Sequence, residues 1–94
     1  MKKPIDDSTW RNILSEISNT VNEPTYNTGF APLTPIEIDE EKVVLYFATD
    51  NHMVHTVLHM RYINTFEGCI AKALHGDYKE EIKEITSEAI NNIL

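Results

Sequence analysis

The chain has 94 residues, of which 41% are apolar and 24% are charged, a composition typical of one soluble globular domain. Fifteen acidic and eight basic side chains give a formal net charge of −7. Nucleic acids and anionic membranes are therefore poor candidates for its principal partner, since both attract clustered Lys and Arg. The sequence has no signal peptide and no apolar run of membrane-spanning length, so we expect a cytoplasmic protein.

The first predicted element is an amphipathic helix. Asp6, Asp7 and Ser8 are candidate N-caps, and apolar side chains then recur at helical spacing: Trp10, Ile13, Leu14, Ile17 and Val21. Trp10 has two interpretations, an aromatic anchor of the core or a partly exposed interface residue. Both stay open at this point.

A short second helix and a hairpin are predicted next. Pro24 can begin a helix over about residues 24–30, although Gly29 weakens it. Ile36 and Ile38 then alternate with acidic side chains, which is the period of a half-buried strand. Residues 43–47 are β-branched and aromatic, and they predict the partner strand.

A long third helix is predicted from Asp50 or Asn51 to about residue 74, and Gly76 suits a left-handed residue after its end. Residues 78–94 fit either an edge strand or a helical stripe. We favour a short strand over about residues 81–85 and then a helical turn or two from Ser87. The order α-α-β-β-α-(β)-(α) predicts an α+β domain with helices on one face of a small sheet.

Three histidines are the strongest candidates for metal ligands: His52, His55 and His59. The last two are four residues apart, a spacing that can bring two imidazoles to one metal. A catalytic zinc needs three protein ligands, however, and Thr56 stands where the metalloprotease pattern requires Glu. A small metal-binding protein remains the alternative function.

Other catalytic signals are weak. Cys69 is the only cysteine and falls on the apolar face of the third helix, which favours a role in the core. The pairs Glu40-Glu41 and Glu80-Glu81 lie in polar segments and are predicted to be solvated. With glycines only at Gly29, Gly68 and Gly76, no glycine-rich phosphate-binding motif can be written. We therefore predict no enzyme, no catalytic residues and no cofactor.

Several short motifs occur together in a familiar order. Trp10 opens a helix with spaced aliphatic residues, residues 23–30 precede Ala31-Pro32-Leu33, and two further motifs follow in the third helix: Asn51-His52-Met53 and Arg61-Tyr62. Over about residues 8–85 this order resembles the N-terminal domain of the bacterial replication initiator DnaA. The family usually has Trp where this chain has Gly29, and Phe where it has Met53.

The resemblance implies a KH-like α+β fold over residues 1–94, with a core of about 8–85 and a C-terminal tail of 86–94. It implies a non-catalytic protein-interaction module that recruits the replicative helicase or regulators of replication initiation, without strong nucleic-acid binding. Carried over by position, Trp10 matches the self-association residue of a weak homodimer. Thr25, Asn51 and Met53 match the partner-binding surface. A stand-alone homologue and a domain excised from an initiator both remain open.

Overall fold

The computed structural model of the chain describes the backbone of residues 2–93 and the side chains of residues 2–92. The strands are β1 Lys2–Pro4, β2 Thr34–Asp39, β3 Val44–Thr49 and β4 Lys79–Glu84. The helices are α1 Asp7–Ser18, α2 Glu23–Thr25 with the π-helical turn Tyr26–Phe30 that continues it, α3 His52–Arg61, α4 Ile63–Leu74 and α5 Ser87–Ile93. The predicted α+β class is confirmed.

The strands form one sheet in the order β1-β2-β3-β4. The predicted hairpin is confirmed, since β2 and β3 pair antiparallel, and β1 adds antiparallel to β2. β4 pairs parallel to β3, so α3 and α4 form the crossover that a parallel pair requires. β1 was not predicted, because three residues that include a proline carry no strand pattern and suit only a sheet edge.

The core lies between the sheet and the helices. The predicted apolar face of α1 is confirmed, with Ile13 and Ile17 fully buried. The ring of Phe66 in α4 lies 4.9 Å from that of Phe47 and 5.3 Å from that of Phe30. Cys69 is 3% exposed, as expected of a core residue. Within residues 2–93, no helix has the length and apolar character needed to cross a bilayer.

The predicted third helix is in fact two helices, which meet at Tyr62. The backbone of Tyr62 leaves the helical range, with φ −118° and ψ 8°. The amide of Tyr62 still donates to the carbonyl of Leu58 at 3.1 Å, and the amide of Phe66 to that of Tyr62 at 2.8 Å. The prediction of one continuous helix is therefore wrong. The ring of Tyr62 packs edge-on against Phe30 with centroids 5.9 Å apart, a tertiary contact at the bend.

The end of α4 also differs from expectation. Its left-handed residue is His75, with φ 57°, and none of the glycines in residues 2–93 has a positive φ. The prediction for Gly76 is wrong because α4 stops at Leu74, which places the first position after the helix on His75. Histidine is among the residues that enter this region more readily than most.

Candidate functional site

A groove of about 180 Å³ lies where the second helical segment meets α3. Threonine hydroxyls and apolar side chains supply most of its lining, which consists of Thr25, Thr28, Gly29, Met53, Val54, Val57, Leu58 and Tyr62. Thr25 and Met53, two of the three predicted partner-binding residues, are thus brought together in one groove. No acidic residue is among these eight.

Gly29 shapes one wall of the groove. The residue is buried, and a Cβ atom built on it would lie 3.4 Å from Cδ2 of Leu58. At Gly29, therefore, the backbone of the π-helical turn packs directly against the side chain of Leu58 in α3. At the other end of the segment, Asn22 Oδ1 accepts a 2.9 Å hydrogen bond from the Thr25 amide, and this N-cap fixes the start of α2.

Asn51 fixes the start of α3 in the same way. Its Oδ1 accepts a hydrogen bond from the Val54 amide at 3.1 Å, and its own amide donates to Oγ1 of Thr49 at 3.1 Å. These two bonds set the direction in which α3 leaves β3. Asn51 does not line the groove, although it directly precedes the helix that carries Met53.

α3 presents an apolar surface beside the groove. Met53 is 71% exposed, Met60 75% and Val57 37%. Met53 and Val57 are one turn apart and therefore share a helix face; both line the groove, whereas Met60 does not. An exposed unbranched thioether next to a groove is an adaptable hydrophobic contact.

Sequence reasoning missed six of the lining residues: Thr28, Gly29, Val54, Val57, Leu58 and Tyr62. The signal for Val57 was its position four residues after Met53. The signal for Gly29 was its departure from the aromatic residue that is usual in the family that the sequence resembles. Leu58 and Tyr62 belong to the core-facing pattern of the helix, and only the three-dimensional packing shows that they also reach the groove.

Trp10 lies on α1 and is not part of the groove lining. Its side chain is half-buried, and its ring centroid lies 5.2 Å from that of Phe47 at a tilt of 42°. The residue therefore packs against the core with one side and keeps another side accessible. The packing against Phe47 agrees with the interpretation as a core anchor, and the accessible side agrees with the interpretation as a partly exposed interface residue.

The three histidines serve other contacts. His52 Nδ1 donates to Oε1 of Glu84 at 2.8 Å, and His55 Nε2 donates to the carbonyl of Ile82 at 2.9 Å. The rings of His55 and His59 stack with centroids 6.3 Å apart. In the described part of the chain, no three His, Cys, Asp or Glu side chains lie close enough together to hold a metal ion. His52 and His55 instead join α3 to β4.

The comparisons with known proteins give a family and a fold. The family model of the DnaA N-terminal domain matches residues 7–88. A solved chain from the crystal structure of a HobA-DnaA (domain I-II) complex from Helicobacter pylori matches with a TM-score of 0.64 and 14% identity, over 80% of this chain and 95% of that one. The comparison with curated proteins gave no match. Because the family model covers most of its length, the chain belongs to the DnaA N-terminal domain family.

Proposed function

We propose that this chain is a non-catalytic protein-interaction module of replication initiation, which binds the replicative helicase or a replication regulator through the groove between α2 and α3. The observation that carries the proposal is the groove itself, in which Thr25 and Met53 lie together beside exposed apolar surface of α3. A cytoplasmic location agrees with this role.

The comparisons support the proposal at the level of family and fold. The chain belongs to the DnaA N-terminal domain family, and its fold is shared with a chain from a complex in which HobA is bound to DnaA of Helicobacter pylori. That complex shows a protein partner for the Helicobacter pylori protein. We infer a protein partner of comparable kind here.

The size and lining of the groove favour insertion of an apolar side chain. An apolar cavity of about 150 Å³ is large enough to bind benzene, and this groove has about 180 Å³. One aromatic or branched aliphatic side chain of the partner therefore fits. Met53 would fold over it from α3, and Thr25 would supply a polar rim.

The test is binding of the purified chain to purified replicative helicase and to candidate regulators, measured by calorimetry. Met53→Ala removes an exposed apolar contact, and Thr25→Arg places a long charged side chain at the groove. We expect each change to weaken partner binding at least tenfold, which is about 1.4 kcal/mol. The melting temperature should fall only slightly, since Met53 is largely exposed.

Met60→Ala is the matched control, because Met60 is as exposed as Met53 and lies on the same helix but outside the groove lining. Its partner affinity should fall less than that of Met53→Ala, since Met60 lies further along the same helix face. Binding that survives both groove variants would show that the partner uses another surface, and an equal loss in Met60→Ala would show that the contact is not centred on the groove.

We further propose weak self-association through α1, centred on Trp10. The support is the half-buried ring, which leaves apolar surface accessible at the edge of the helix face that Ile13 and Ile17 fix in the core. Tryptophan is enriched at the energetic centres of protein interfaces.

A further inference from the structure

Glu80 occupies a position on β4 that faces the core. Side chains alternate between the two faces of a strand, and Tyr78 and Ile82, two residues before and after Glu80, both pack against the core cluster. Glu80 is accordingly half-buried, whereas Lys79 and Glu81 are exposed. The expectation that Glu80-Glu81 is solvated holds for Glu81 and is wrong for Glu80.

The carboxyl group of Glu80 is only partly satisfied, because the backbone of Glu80 itself supplies one hydrogen bond. Its Oε2 atom is buried and has no hydrogen-bond donor within the described residues. The group that faces it is a second carboxyl, that of Glu67 on α4, the helix packed against β4. Two ionised carboxylates in such a place would repel each other and lose hydration. A protonated carboxyl, in contrast, is a hydrogen-bond donor.

We propose that Glu67 and Glu80 share one proton in the folded chain, so that an acid–carboxylate hydrogen bond joins α4 to β4 at neutral pH. The proton stays between the two groups, and the pair carries one negative charge. Loss of that proton in mildly alkaline solution leaves two like charges at the contact. The attachment of α4 to β4 then weakens, which makes the pair a pH-sensitive latch.

The surroundings agree with this assignment. Burial is the main cause that raises the pKa of Glu80 from its ordinary value of 4.5 to about 8, followed by the hydrogen bond with Glu67 and its negative charge. The hydrogen bond from the backbone of Glu80 itself lowers the pKa of Glu80, and so, more weakly, does the positive charge of neighbouring Lys79. Across the sheet, the register partner of Glu80 is apolar Leu45.

Other ionisable groups border a neighbouring cavity of about 400 Å³, which Glu67 also lines. They are Lys42, Asp77, Tyr78 and Lys79. Both lysines are exposed, so solvent screens their charges. None of these groups replaces the missing donor to Oε2 of Glu80.

The sign of the pH dependence follows from the raised pKa. Folding takes up a proton at Glu80 between pH 4.5 and about pH 8. The stabilising contribution of the neutral carboxyl is therefore complete below pH 4.5 and is lost as the pH rises through about 8.

The first test compares melting temperatures from about pH 5 to about pH 9, a range in which ordinary carboxyls do not titrate. Glu80→Gln keeps the shape and the donor of the neutral acid, so its advantage over the unaltered chain should grow as the pH rises. The difference between the two proteins also cancels the titration of the histidines. Glu81→Gln, on the exposed face of the same strand, is the matched control and should show no growing difference.

The second test follows the glutamate side-chain carboxyl carbons of the unaltered chain by NMR. One side-chain carboxyl carbon should titrate near pH 8. That titrating signal should be absent from the spectra of Glu80→Gln. In Glu67→Gln the midpoint of Glu80 should fall, because the like charge is gone, but stay above 4.5, because burial remains. Titration of all glutamates at ordinary midpoints would overturn the proposal, and this result does not depend on any variant. A difference in melting temperature between Glu80→Gln and the unaltered chain that does not change with pH would overturn it too.

Discussion

Gly29 lets two helical segments approach each other closely enough to form the groove. A side chain there would point at Leu58, since even a Cβ atom would already be at van der Waals distance from its Cδ2. The aromatic residue usual in the family would therefore need space that this groove now provides. One residue thus links the departure from the family pattern to the shape of the proposed binding surface.

Asn51 is predicted to stabilise the fold chiefly as the N-cap of α3. Asn51→Ala removes the acceptor of the Val54 amide and should lower the free energy of unfolding by about 1 kcal/mol. Asn51→Ser restores a capping oxygen and should recover most of that loss. Urea denaturation of the three proteins measures both effects.

The same pair of variants separates capping from direct partner contact. If Asn51 acts only as a cap, Asn51→Ser should bind the partner as well as the unaltered chain. A serine variant with full stability but weakened binding would instead show that the asparagine amide touches the partner. An alanine variant with unchanged stability would contradict the capping role.

Sequence reasoning placed Thr25 and Met53 in one surface but could not define its boundary. Thr25 follows a helix-starting proline, and Met53 stands outside the apolar face of its helix, so both carried a local signal. The helical pattern predicts Leu58 and Tyr62 only as core residues. Whether a core residue also reaches a groove depends on how two helices cross, and one helical pattern does not contain that information.

At the scale of elements, the helical pattern predicted the faces correctly and one boundary incorrectly. The spacing of apolar residues passes through Tyr62 without interruption, and no proline or glycine marks the bend. The bend is accompanied by contact with Phe30, which comes from another part of the chain. β1 was missed for a different reason, since Lys2–Pro4 pairs with β2 without any apolar alternation of its own.

α1 is predicted to be the self-association element. Trp10→Ala should reduce the concentration-dependent increase in sedimentation coefficient, because it removes the accessible part of a half-buried apolar ring. It should also lower the melting temperature, since the ring packs against Phe47. The loss of stability should be smaller than the roughly 3–5 kcal/mol of a fully buried tryptophan, because the ring is only half-buried.

Arg11→Ala is the control for this experiment, since Arg11 is the exposed neighbour of Trp10 on the same helix. It should leave the fold intact and the self-association little changed. If Trp10→Ala destabilises the chain as much as a core residue would and sedimentation stays the same, Trp10 has a structural role alone.

At the scale of the whole molecule, the few basic residues that occur together are engaged by carboxylates. The ammonium of Lys3 lies 2.8 Å from Oε1 of Glu40, and that of Lys2 lies 3.6 Å from Oε2 of Glu37. These pairs connect β1 to β2 and to the turn that follows β2. They leave little free positive charge at the N-terminal edge of the sheet.

We therefore predict that the chain does not bind duplex DNA appreciably. Affinity for the phosphate backbone depends on cations that displace counterions, and the net charge here is −7. Fluorescence anisotropy with a labelled duplex at low salt should stay flat as the protein concentration rises. Micromolar binding that weakens steeply with added salt would contradict this expectation.

β4 can join the sheet only after the chain has passed through two helices, because its parallel partner β3 precedes both of them. The β2–β3 hairpin, in contrast, closes over a short turn and costs little loop entropy. We expect the hairpin and helices to form early in folding and β4 to dock late, since pairings distant in sequence are slow to form. The hydrogen bond from His55 to Ile82 and the contact between Glu67 and Glu80 then belong to the last stage of folding.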